Sequence, residues 1–192
     1  NKTKVTIQRS TIVNYTKAIE IWTQNYDADI KNVFRTQITM TDLDIAENQN
    51  GLIIYGKFGV HIDNCNFHDN KATNNLGLVS MKADMGANSY LKITRSKFLN
   101  NFVHLQGVLT MSYLNRMVKG ETKISTVEIE ECEILNNRIM TSGAVMIFRK
   151  NVETTIKDTI IEVINVTKDT SKIVTQVIDS EAAHLVIDNV TM

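Results

Sequence analysis

Ile62-Asp63-Asn64-Cys65-Asn66-Phe67-His68-Asp69-Asn70 and Ile93-Thr94-Arg95-Ser96-Lys97-Phe98-Leu99-Asn100-Asn101 are two copies of one pattern. An apolar residue opens it, a polar pair follows, a second apolar residue stands five positions on, and an Asn closes it eight positions after the first. Ile129 to Asn137 is a third copy, and Met40 to Asn48 a fourth. Looser copies open at Ile7 and Ile156, and a last one, Ile187 to Met192, ends the chain before the Asn position. A second apolar run follows the closing Asn and starts at Gly51, Gly77, Gly107 and Gly143. Self-similarity at this period is the mark of a stacked repeat architecture.

The copies open at positions 7, 40, 62, 93, 129, 156 and 187, so their spacing is uneven. Helical hairpin repeats hold their period because helix length fixes it. Short strands joined by loops do not, since a loop can swell between strands without disturbing the stack. Local periodicity agrees: Val60/Ile62, Leu91/Ile93 and Val127/Ile129 alternate with His61, Lys92 and Glu128. That is the two-residue period of a strand with one buried face. The reading is an all-β chain, a right-handed parallel β-helix of about six to seven coils, with residues 1–192 expected to form one domain that is a segment of a longer chain.

Within each coil the polar pair marks a bend. Asn48, Asn70, Asn101 and Asn137 are expected at a second turn, where Asn tolerates left-handed backbone. There their amides would bond one another along the axis as a structural ladder. The Gly residues are expected to supply backbone freedom at the next corner. Cys65 and Cys132 hold one repeat position with Ser96 between them. Two strand spacings separate them by about 10 Å, beyond the roughly 7 Å that a disulfide spans between Cα atoms. Two free, buried thiols are expected.

The runs Phe67-His68-Asp69-Asn70 with Gly77-Leu78-Val79, Phe98-Leu99-Asn100-Asn101 with Gly107-Val108-Leu109, and Ile134-Leu135-Asn136-Asn137 with Gly143-Ala144-Val145 resemble F-x-x-N…G-apolar-apolar repeats. Such repeats build the pectate-lyase-like β-helices of polymorphic outer-membrane proteins and of large protist surface proteins. The likeness is clear over residues 38–147 and looser outside them. It departs from the outer-membrane type in having one Gly, not two, before the third strand. It implies architecture, with a secreted or cell-surface setting, because such families share a fold and differ in function.

Composition narrows the function classes. The chain is 43% hydrophobic and 22% charged, with net charge zero and no basic stripe, which gives a nucleic-acid partner no support. No apolar run reaches the roughly 18 residues of a transmembrane helix. Proline is absent, in keeping with strands whose N–H donors are used on both sides. Asn-x-Ser/Thr occurs at Asn1, Asn14, Asn165 and Asn189, about the number chance gives in so Asn- and Thr-rich a chain. The triplets alone therefore do not argue glycosylation.

No catalytic, cofactor or metal site is assigned. The four histidines share no ligand or triad spacing. The best acidic cluster is Glu130, Glu131 and Asp158. Arg95 beside Glu131 and Lys157 near Glu130 are expected as surface ion pairs, with Asp63 standing alone. Trp22 and Tyr55 read as core or coil-edge residues. Tyr90 and Tyr113 flank the long segments 82–90 and 112–126, taken as interaction loops.

Two readings stand. One is a non-catalytic structural or protein-interaction module of a larger surface or assembled protein, with protein partners or further coils at its ends. The other is a carbohydrate-binding or polysaccharide-cleaving β-helix.

Overall fold

A computed structural model describes residues 3–23, 36–73, 77–84, 89–104, 106–114, 125–139, 144–148, 152–165, 177–180 and 184–192. Of residues 84, 113–114, 163–165 and 180 only the backbone is described.

The described chain is all strand and connection. In order it runs β1 (Lys4–Val13), β2 (Ile19–Thr23), β3 (Thr36–Ala46), β4 (Leu52–Gly56), β5 (Phe58–Asp63), β6 (Asn66–His68) and β7 (Lys71–Ala72). Then come β8 (Val79–Asp84), β9 (Tyr90–Thr94), β10 (Lys97–Leu99), β11 (Phe102–Val103), β12 (Leu109–Leu114) and β13 (Ser125–Glu130). The last are β14 (Glu133–Ile139), β15 (Met146–Phe148), β16 (Val152–Lys157), β17 (Ile160–Asn165), β18 (Ile178–Ser180) and β19 (His184–Asp188). Among the described residues no helix is long and apolar enough to cross a membrane.

Among the described residues every strand pairing is parallel, in one 13-stranded and one 6-stranded sheet, an arrangement compatible with a β-helix or solenoid. The first row of the larger sheet reads Ile7, Met40, Ile62, Ile93, Ile129, Ile156, Ile187 in direct register. These are the seven residues that open the sequence copies. Ile12, Ile45, Phe67, Phe98, Ile134 and Ile161 make the second row. In the smaller sheet Ile19, Leu52, Val79, Leu109, Met146 and Ile178 line up. The rows meet in one continuous core, in which the Phe67 and Phe98 rings stack at 4.9 Å. Like side chains stacked at the strand spacing bury apolar surface on both neighbours at once, which is how a narrow solenoid is held together.

Two details of the turns differ from the sequence reading. Left-handed backbone is not carried by the ladder asparagines but by the residue before each: Glu47, Asp69, Asn100 and Asn136, with φ from 54° to 55°. The earlier bend has its own left-handed row, Arg9, Asp42, Asn64, Arg95, Glu131, Asp158 and Asn189. Short polar residues that tolerate this conformation hold most of these positions, while the ladder Asn is free to turn inward.

The glycines also act otherwise than expected. Gly51, Gly77 and Gly107 are not in left-handed backbone. A Cβ on Gly77 would stand 2.5 Å from the Gly107 carbonyl oxygen, and one on Gly107 2.6 Å from that of Ala144. Close approach of neighbouring layers, not φ, demands glycine here.

Candidate functional site

Side-chain arrays stand out both inside the fold and on its surface. The first internal array is the asparagine ladder. Asn48, Asn70, Asn101 and Asn137 are buried. The Asn70 Oδ1 accepts both the backbone N–H and the Nδ2 of Asn48, at 3.0 and 3.1 Å. Asn101 does the same for Asn70, and Asn137 for Asn101, each bond at 3.0 Å. The second amide proton of each Asn reaches back to a carbonyl of the preceding layer: Ile12, Ile45, Phe67 and Phe98 in turn. The two interior amides, Asn70 and Asn101, therefore spend both donors and both acceptor sites inside the protein.

The ladder's ends have local causes. In the first copy Tyr15 takes the Asn position, with its ring exposed and its backbone N–H donated to the Asn48 Oδ1 at 2.8 Å. In the sixth copy Ile134 faces Ile161 but Asn137 faces Val163, so the chain crosses the corner one residue shorter. The position that faces Asn137 is thus held by Val163 and not by an Asn.

Beside this ladder runs a second array, of which the sequence marks Cys65, Ser96 and Cys132 as one repeat position but not their hydrogen bonds. Ser10, Cys65, Ser96, Cys132 and Thr159 follow the left-handed residue of the first bend, and each donates to the carbonyl two residues back. Ser96 and Thr159 also accept the backbone N–H of Cys65 and Cys132. Both thiols are free and buried, and burial raises both pKa values, that of Cys132 to about 11. They serve as hydroxyl-like turn donors and carry no nucleophilic character.

Two of the three residues of the surface acidic cluster, Glu130 and Asp158, are engaged by neighbours. Glu130 is ion-paired with Lys92 at 3.0 Å, and Lys92 also meets Glu128 at 3.1 Å. Asp158 accepts a hydrogen bond from Asn189, and Glu131 sits exposed in the left-handed row. The expected partners are corrected too. Arg95 pairs with Asp63, one layer back, and not with Glu131; Thr94 adds a 2.7 Å bond to the same carboxylate. Those contacts, Arg95 first, hold the Asp63 carboxyl below its usual range. Among the described residues no group of three or more His, Cys, Asp or Glu could hold a metal ion.

The aromatic residues also fall differently. Tyr90 and Tyr113 lie in strands, at the start of β9 and near the end of β12, and residues 85–88 of the first flanking segment and most of the second lie outside the described residues. The Tyr90 hydroxyl donates to Glu128 at 3.1 Å. Trp22 is no core residue: it is 56% exposed and stacked on Tyr55 with ring centroids 4.1 Å apart. Lys82 stands over the Tyr55 ring at 5.9 Å.

The remaining array is a groove of about 440 Å³ just outside the asparagine ladder, lined by Asp69, Asn100, Phe102, Asn136 and Arg138. Left-handed backbone at Asp69, Asn100 and Asn136 turns these three side chains outward, one per layer. Register puts Lys71, Phe102 and Arg138 in the facing row. Lys71 lies 5.8 Å from the centre of the Phe102 ring. At the groove's rim His68 bridges Asp69 (2.7 Å) and Asp44 (3.0 Å), and these carboxylates, Asp69 foremost, raise its pKa.

No protein-family profile matches the chain, and neither the curated proteins nor the solved structures gave a match. The arrangement must therefore be read on its own chemistry.

Proposed function

We propose that the chain is a right-handed parallel β-helix of about six to seven coils, serving as a non-catalytic structural or protein-interaction module of a larger surface or assembled protein. One observation carries the reading. Leu185 and Ile187 stand in the rows of Thr154 and Ile156, which are buried, yet are themselves 38% and 45% exposed. An end layer that shows core-row side chains beside a strand edge is a surface fit for another β layer. A further coil or a protein partner that adds strand to β19 meets both needs, apolar cover and backbone pairing. The resemblance to surface repeats supports a secreted or cell-surface setting.

A second reading, a carbohydrate-binding β-helix, is favoured by the groove beside the asparagine ladder. Cleavage draws no such support, because the best acidic cluster is ion-paired or spread along the surface.

Cross-linking mass spectrometry on the native protein tests the first reading. Cross-links from the residues around β19 and Lys4 to other polypeptide are expected. A monomer with no such links, whose behaviour is unchanged by Ile187→Lys, would overturn it.

A further inference from the structure

We infer that the groove formed by Asp69, Asn100, Phe102, Asn136 and Arg138 binds a neutral oligosaccharide. This rests on the carbohydrate reading and gives it a place and a ligand class. The groove's volume, about 440 Å³, falls within the range of small-molecule sites, roughly 300–1,000 Å³. Its lining selects the ligand. Asp69 only accepts hydrogen bonds when ionised, Arg138 only donates, and the amides of Asn100 and Asn136 do both. A sugar hydroxyl donates and accepts in the same way, so a polyhydroxyl ligand serves Asn100, Asn136 and Arg138 together with the Asp69 Oδ1, the Oδ2 being held by His68.

Charged ligands fit less well. A phosphate, sulfate or uronate on Arg138 would face the Asp69 carboxylate across the same groove. A polyamine on Asp69 would face Arg138. The floor supplies the remaining element of sugar recognition: the Phe102 ring is half-buried, with one neighbour, Lys71, already over it. A partly exposed aromatic face offers apolar contact to the C–H face of a pyranose.

The spacing suits a chain and not a single sugar. Asp69, Asn100 and Asn136 belong to three successive layers, so they cover about 10 Å at the usual strand spacing. A linear oligosaccharide lying along the solenoid axis meets one outward polar group per layer. The presentation is rigid, because each of these residues directly precedes a buried ladder Asn. Little ordering cost then falls on the protein when the ligand binds.

The test uses the whole 192-residue chain and isothermal titration with hexasaccharides: β-1,4-glucan, β-1,3-glucan and β-1,4-mannan as neutral probes, and oligogalacturonate as the anionic one. Variants are Asn136→Gly, Asn100→Gly and Arg138→Ala. Glycine keeps the left-handed backbone at both Asn positions, and Arg138 is exposed, so unchanged melting is checked for all three. At least one neutral hexasaccharide is expected to bind, with each variant weakening it about tenfold, the scale of one lost hydrogen bond of about 1.4 kcal/mol. Neutral binding that survives all three variants but is lost in Trp22→Ala overturns the groove while leaving the carbohydrate reading intact. Tighter binding of oligogalacturonate overturns the neutral ligand class. No binding by any probe overturns both the groove and the carbohydrate reading, and leaves the structural module untouched.

Discussion

Replacing Asn101 by Ala removes four side-chain hydrogen bonds from a site of 0% exposure, two donated to the Phe67 carbonyl and the Asn137 Oδ1, two accepted from Asn70. The carbonyl acceptors keep spare capacity, and the Asn137 Oδ1 still receives the Asn101 backbone N–H. The damage falls on donors. The backbone N–H of Asn70 and one proton of its Nδ2 are left buried with nothing to bond. Each orphaned buried donor costs about 1–3 kcal/mol, so the expected loss is about 3–5 kcal/mol, at the upper end for a single substitution. Asn48 is the internal control. Its Oδ1 accepts only the part-buried Tyr15 N–H, so Asn48→Ala orphans one donor and should cost about 1–2 kcal/mol. Asn100→Gly, on the exposed side of the same turn, should be near neutral. Urea unfolding of the three variants, with matched m-values, gives the comparison. An Asn101→Ala loss below about 1 kcal/mol, or one equal to that of Asn48→Ala, would refute the claim that the ladder's interior is held by paired amides.

Other consequences are checked more simply. Gly107→Ala puts a methyl group 2.6 Å from the carbonyl oxygens of Ala144 and Val145, so a loss of about 1–3 kcal/mol is expected in the same urea assay, the range for overpacking. The thiols of Cys65 and Cys132 should stay unreactive to Ellman's reagent at mildly alkaline pH until the protein is unfolded; rapid native labelling would contradict their burial. Cys132→Ser should change stability by less than about 1 kcal/mol, because Ser96 already makes the same bond to the carbonyl two residues back. His68 should titrate above its ordinary 6.5 in an NMR titration. Because its folded pKa is the higher one, the stability it contributes is complete below the unfolded value and is lost as pH rises through the folded value. The stability gap between the native protein and His68→Gln should accordingly shrink as pH rises above 6.5.

The rows were legible in the sequence because repetition forces register. Once Ile62, Ile93 and Ile129 are seen to head equivalent copies, stacking leaves little freedom: a slip of one residue would turn each apolar row to solvent. Turn chemistry was half legible. The Asn of the ladder is visible as a recurrent residue, but the left-handed conformation beside it is shared by Glu47, Asp69, Asn100 and Asn136, a set with no single identity. Conformation, unlike packing, accepts several residues, so it leaves a blurred signature. The glycines show the reverse: a strict residue whose reason, a carbonyl of the next layer at 2.5 to 2.7 Å, belongs to a neighbour some 27 to 37 residues away and cannot be read locally.

Surface pairing was the least legible, and for a physical reason. Arg95 has Asp63 on one neighbouring layer, in the row of Thr94, and Glu131 on the other, in its own row, and the sequence alone does not rank the two. What breaks the tie is the bend. Thr94 donates to the Asp63 carboxylate and orients it toward Arg95, whereas Glu131 is carried outward by its own left-handed backbone. The same outward turn, repeated at Asp69, Asn100 and Asn136 on the second corner, is what opens the groove. The two corners thus use one backbone device to different ends. At the first, flanking cations and hydroxyls close over the acidic residues, and the surface is spent on internal pairs. At the second, the inward amides bond one another along the ladder, and of the outward residues only Asp69 is engaged, by His68, while Asn100 and Asn136 turn to solvent.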